Sequence, residues 1–173
     1  MGQACARWAR GTSGAHPEPH PYRVRVPELH DIETREDCER LVRAFYGRAL
    51  EDPIIGWLFV DIAKLDLEAH VPQITSFWET ILLDAQTYSG GAFRPHAALH
   101  MKARLRAGHF ERWLALWGAT VDELFAGGRA ELAKAHALRV ARAFHSRLQA
   151  MPVPEDLGQA PTGLTVTRHG PST

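Results

Sequence analysis

The sequence predicts an all-α fold, and three observations carry that prediction. Between residues 32 and 150 apolar side chains recur every three or four positions, no segment shows the strict apolar–polar alternation of a half-buried strand, and Pro or Gly stands where the apolar stripes end. After Thr34, with Asp37 three residues on as a partial capping box, Cys38, Leu41, Val42, Phe45 and Ala49 fall on one helix face. Asp52-Pro53 ends this first helix. A short turn with Ile54, Ile55, Trp57, Leu58 and Phe59 follows. A second helix starts near Asp66 and lines up Leu67, His70, Ile74, Phe77, Trp78 and Ile81; Pro72 falls in its first turns, where a missing N–H matters least. Tyr88-Ser89-Gly90-Gly91 breaks the chain before a shorter element from about Arg94 past His100. A fourth helix presents Phe110, Trp113, Leu114, Trp117, Val121 and Leu124, and Gly127-Gly128 stops it. The last helix turns Ala133, Ala137, Val140, Ala141, Phe144 and Leu148 inward.

The chain has 173 residues, 45% of them hydrophobic and 23% charged, which suits one compact domain able to fold without metal or disulfide staples. Its 20 Lys and Arg balance 20 Asp and Glu, so no global field recruits nucleic acid or anionic membrane. Two cysteines, Cys5 and Cys38, make neither a disulfide framework nor a four-thiolate metal site, and no apolar run is long enough to span a bilayer. A cytoplasmic location is the simplest expectation. Residues 1–31, rich in Pro, Gly and scattered charge, are expected to form a flexible N-terminal extension, and residues 151–173 a flexible tail. The folded domain is therefore expected over 32–150.

Ten His and five Trp are the unusual counts. His70 shares the face of Ile74 and Phe77, and Trp113 lines up with Phe110 and Trp117. Taken singly, each of these is most simply a core side chain with its polar atom bonded to backbone. Together they suggest a cavity. His96 and His100 are i, i+4 neighbours, and Arg94, Lys102, Arg104 and Arg106 surround them with no acidic residue between Asp84 and Glu111. A flat apolar slot between helices, an imidazole for iron and cations for two propionates would together suit haem. Arg94 and Arg104 are the expected propionate partners. The alternative is a haem-free helical binding module in which His96, His100 and His109 hold zinc. Paired Glu-x-x-His motifs for a di-iron site and a nucleophile elbow for acyl transfer are both missing from the sequence.

Over residues 32–150 the chain resembles the group III truncated haemoglobins. The resemblance rests on an ordered set: Phe45-Tyr46; Gly56-Trp57-Leu58-Phe59; His70 and then Phe77-Trp78; Tyr88-Ser89-Gly90 and then His96; and Trp113-Leu114 with Trp117. It implies a two-over-two helical sandwich holding haem b, with His96 as the proximal iron ligand and His100 still open as the alternative. It also implies Tyr46, His70 and Trp113 as distal residues, Phe59 as the aromatic wedge, and Ile74, Phe77, Trp78 and Trp117 as pocket walls. The expected ligands are O2 and other diatomics such as NO, released slowly because Tyr46 and Trp113 both donate hydrogen bonds. Haem-dependent NO or peroxide chemistry, fed by an electron donor, is a further expectation, and neither enzymatic activity nor oligomeric state follows from the motifs.

Overall fold

The computed structural model describes residues 29–152; the remainder of the expected extension and tail, with Cys5, lies outside the described residues. Five α-helices and one π-helical turn account for the regular structure among them, in the order α1 (Arg35–Glu51), the π turn (Leu58–Ala63), α2 (Leu67–Leu83), α3 (Phe93–Lys102), α4 (Ala107–Leu124) and α5 (Gly128–Gln149). Among the described residues there is no strand, and no helix is long and apolar enough to cross a membrane.

The capping box read from the sequence starts α1: the Thr34 hydroxyl accepts the Asp37 N–H at 3.1 Å, and the Asp37 carboxylate accepts the Thr34 N–H at 3.0 Å. Past Asp52 the chain doubles back so tightly that a Cβ on Gly56 would stand 2.5 Å from the Leu50 carbonyl oxygen, a space only glycine leaves open. The corner expected as a simple turn winds instead into the π segment, which ends at Lys64 in the left-handed conformation, φ 49°. Asp66 caps α2 by accepting the Ala69 N–H, and Pro72 is accommodated within that helix. Residues 84–91 are irregular, and Gly90 and Gly91 take φ of 94° and 92°.

Helix α1 packs on α2, α4 packs on α5, and the two pairs stack, α1 against α4 and α2 against α5. The short α3 lies at the edge of this sandwich and packs chiefly on α5 and the π turn. Packing begins earlier than the expected boundary at Ile32. The Asp31 carboxylate accepts the Arg129 and Ala130 N–H groups at 2.8 Å each and so caps α5 from the far end of the chain, while the His30 carbonyl accepts the Ala126 N–H at 3.0 Å. Burial works against ionisation of Asp31, but the bonds from Arg129, Ala130 and Ile32 prevail and hold its carboxyl below the ordinary value.

The sandwich closes around Trp117, which is 1% exposed. Its indole stacks on Trp78 of α2 at 4.3 Å and runs parallel to Trp113 at 5.8 Å, while Phe45 of α1 meets it edge-on at 5.3 Å. Its Nε1–H donates to the Ala133 carbonyl of α5 at 3.3 Å. Cys38, on the buried face of α1, is a free thiol that burial, and after it the charge of Glu79, pushes up to about 11. Trp117→Ala should cost about 3–5 kcal/mol of unfolding free energy, by analogy with other large-to-small core truncations. Urea denaturation followed by far-UV circular dichroism reads this directly, and an unshifted midpoint would refute the central role of the indole.

Candidate functional site

A cavity opens between the sandwich and α3, enclosing about 1180 Å³ free of protein atoms, the part open to solvent included. Its walls are mostly apolar. Tyr46 comes from α1, Phe59 from the π turn, His70, Ile74, Phe77 and Trp78 from α2, His96 from α3, and Trp113 from α4. Eight of the side chains expected at a site thus line one space, although they span nearly 70 residues of sequence.

The remaining four expected residues lie elsewhere. Trp117 is not on the wall but one layer behind it, because stacking on both Trp78 and Trp113 draws it into the core. Arg94 and Arg104 are exposed and outside the lining, as guanidinium groups without a buried counter-charge must be. His100 also fails to reach the cavity. It is 1% exposed, its Nδ1 accepts the Leu105 N–H at 3.2 Å, and its Nε2 has no partner among the described residues. The Leu105 carbonyl is held too, by Gln149 Nε2 at 3.1 Å, so that both polar groups of this cavity-lining residue are fixed by side chains.

His96 is differently placed. Its Nδ1 lies 2.8 Å from the Ala92 carbonyl oxygen, which can only accept, so Nδ1 carries the proton and Nε2 is left as a free lone pair on a ring that lines the cavity. Phe144 of α5 braces the ring at 4.9 Å. His96 is exposed toward the cavity, yet the surrounding protein desolvates it enough to lower its pKa against the opposing Ala92 hydrogen bond, with the charge of His70 adding to the effect. Its lowered pKa favours the neutral imidazole at neutral pH.

The polar groups of the other walls also stand in apolar surroundings. Tyr46 is 8% exposed, meets Phe59 edge-on at 5.9 Å and the His70 ring at 6.3 Å, and burial alone drives its phenol far above the usual range. Desolvation likewise lowers His70, which favours its neutral form. Sequence reasoning missed several lining residues. Gln73 falls between His70 and Ile74 on α2, and the stripe 70, 73, 74, 77 contained the signal. His109, expected only as a zinc ligand in the alternative reading, also lines the cavity while its Nδ1 accepts the Arg106 N–H at 3.2 Å; Tyr88 enters from the irregular segment and packs on Phe77 at 5.3 Å. No group of three or more His, Cys, Asp or Glu able to hold a metal ion occurs among the described residues, so the three histidines considered for zinc do not converge.

The corner wall is anchored by Asp52, 7% exposed. One carboxylate oxygen accepts the Ile54 and Ile55 N–H groups, and the other accepts Arg112 Nε and Nη2 at 2.8 and 2.6 Å. Arg112 stands on α4 between the lining residues Phe110 and Trp113, so this pair registers the corner against α4.

No protein-family model matches the chain, and no curated protein matches it in sequence. Among solved structures the chain is similar to the crystal structure of the group III truncated hemoglobin from Campylobacter jejuni, with a TM-score of 0.61 at 22% identity, covering 70% of this chain and 95% of that one. The fold is therefore the two-over-two sandwich of a truncated globin.

The Arg112 hydrogen bonds, opposed by burial, hold the Asp52 carboxyl below its ordinary 3.8. A depressed folded-state pKa contributes stability that is complete above the unfolded value and disappears as pH falls through the folded one. Asp52→Asn should thus lose about 1–3 kcal/mol at neutral pH, since Arg112 keeps partial access to water. The variant should also flatten the loss of stability below pH 3.8. Denaturation midpoints across that acid range check both, and parallel curves for the two proteins would rule out the assignment.

Proposed function

We propose that this chain is a cytoplasmic haem b protein that binds O2, with NO as a second diatomic ligand, and that His96 is the iron ligand. The observation that carries the reading is the His96 ring. Its Nδ1–H is tied to the Ala92 carbonyl, which leaves Nε2 free and neutral beside an apolar cavity. A backbone partner on the far nitrogen fixes tautomer and ring orientation for a metal ligand. His100 meets neither condition: its Nδ1 is engaged with Leu105, and it does not line the space. The apolar walls and the edge-on aromatic contacts suit a flat macrocycle, and two cysteines without a Cys-x-x-Cys-His motif suit a non-covalent one.

Haem held by a single imidazole would offer an open sixth position to a diatomic ligand. What the chain supplies around that position is hydrogen bonding and exclusion of water. The Tyr46 hydroxyl, un-ionised because of its burial, is a donor at any physiological pH, and Trp113 Nε1–H can only donate. Bonds of this kind to a ligand bearing negative charge contribute about 1.5–3 kcal/mol, roughly tenfold to a hundredfold in release rate. Slow release suits storage, sensing or redox chemistry on NO or peroxide better than rapid carriage. His70, neutral at rest and close to Tyr46, is placed to take or give a proton. Arg94, two residues before His96, and Arg104 would meet the two propionates at the solvent edge.

Purified protein mixed with haem should develop a Soret band in the wild type and in His100→Gly, and a far weaker one in His96→Gly; retention in His96→Gly with loss in His100→Gly would reverse the ligand assignment. Tyr46→Phe should speed O2 dissociation from the ferrous form by about tenfold or more. Stopped-flow displacement by carbon monoxide measures it, and an unchanged rate removes Tyr46 from the donor role.

A further inference from the structure

The chain is neutral overall, yet its fold sorts charge by face. Residues 85–110 carry Arg94, Lys102, Arg104 and Arg106 and no acid; residues 135–150 carry Arg139, Arg142 and Arg147 and no acid. Folding brings these two stretches together. Helix α3 lies on α5, Phe93 meets Phe144 at 5.3 Å, the Arg147 guanidinium sits 3.7 Å over the Phe93 ring, and Gln149 reaches the Leu105 carbonyl. All of these cations are exposed, and among the described residues none of them meets a carboxylate. Elsewhere Arg35, Arg43, Arg48, Arg112 and Lys134 each hold one, and among the described residues only Arg40, Lys64 and Arg129 outside this face do not.

Unscreened like charges on one surface repel one another, and two propionates would neutralise only part of this set. The face also borders the cavity, because His96, Leu105 and Phe144 line it from the same two helices and the turn between α3 and α4. A partner seated there would stand about one side-chain layer from whatever the cavity holds.

We propose that the α3–α5 face is the docking surface of an acidic electron-donor protein. The proposal rests on the haem reading for its purpose: the partner's reduced flavin would give up one electron, a bound ferric haem would take it, and no bond on this chain would be made or broken. Charge complementarity selects the occupant. Beyond the patch α1 and α4 carry acids with no cation on them, Glu36, Glu51 and Glu111 among the described residues, so an extended polyanion such as duplex DNA or an anionic bilayer gains little outside it. An acidic patch on a protein is limited in extent, and the separated charge of this chain turns the basic face toward it during approach.

Flavodoxin, an acidic flavoprotein, is a suitable probe. The variant combining Lys102→Glu, Arg106→Glu and Arg142→Glu leaves the cavity walls and both propionate cations unaltered. In calorimetric titration of the full chain, flavodoxin affinity should fall about tenfold or more in the variant, and the wild-type affinity should fall as salt is raised. Reduction of the haem-loaded chain by reduced flavodoxin should slow in parallel, whereas dithionite should reduce both proteins at one rate. Equal affinities and equal flavodoxin-driven rates would overturn the proposal, as would a preference for anionic vesicles or duplex DNA over flavodoxin. If the combined variant does not fold, the single reversals Arg106→Glu and Arg142→Glu carry the same comparison, with an effect of about a few-fold each. Absence of a Soret band in the wild type would defeat the haem reading instead, while the calorimetry, which needs no haem, would still judge the face.

Discussion

The packing around the Trp117 indole is the constraint on which the rest of the structure hangs. It belongs to α4, stacks on α2, receives an edge from α1 and donates to a carbonyl of α5, so one ring sets the spacing of all four long helices. The cavity walls are its neighbours in sequence or in space. Tyr46 follows Phe45, Phe77 precedes Trp78, and Trp113 stands one turn before Trp117 itself. The core side of each wall is thus rigid, and the open side faces the one helix too short to cover it. Apolar walls left facing such a space forgo burial, and a ligand that fills the space restores it, which couples occupancy to stability.

Helix α3 joins the two sides of the molecule. Its inner positions His96 and Leu99 look into the cavity, while Arg94 and Lys102 remain in water. Because it packs chiefly on α5 and the π turn, its place depends on few contacts, among them Phe93 and His96 on Phe144, Arg147 over Phe93, and the two bonds that fix Leu105 beyond its end. His100 acts here as a fastener. Its buried imidazole spends Nδ1 on the turn that leads into α4, a use that its spacing from His96 gave no hint of.

Much of this was legible in the residues. Periodicity and capping chemistry placed the five helices, since Thr34, Asp66 and Pro53 act on their near neighbours. Eight of the residues that the resemblance implies line the cavity, and helical spacing alone puts His70, Ile74 and Phe77 on one helix face. Spacing does not tell depth. Trp117 shares a face with Trp113 and still lies behind the wall, since which ring goes inward is decided by Trp78 from another helix. The role of Asp31 was invisible for a related reason: its partners, Arg129 and Ala130, are almost a hundred residues away. The π turn escaped notice too, since its tight entry depends on Gly56 meeting the Leu50 carbonyl rather than on an apolar pattern. Tyr88 comes from a segment with no period at all.

Cys38 gives this architecture a chemical resistance. Thiols react with peroxide and related oxidants as thiolates, and a group pushed to about 11 is ionised in roughly one molecule in ten thousand at neutral pH. The side chain is also buried in α1, with no surface for an oxidant to approach. An oxidant that reached the domain would therefore find in Cys38, the one cysteine among the described residues, a thiol that is both protonated and sealed off. Oxidation of Cys38 to a sulfinate would force two oxygen atoms and a negative charge into the core, and its burial and its protonation both oppose that step.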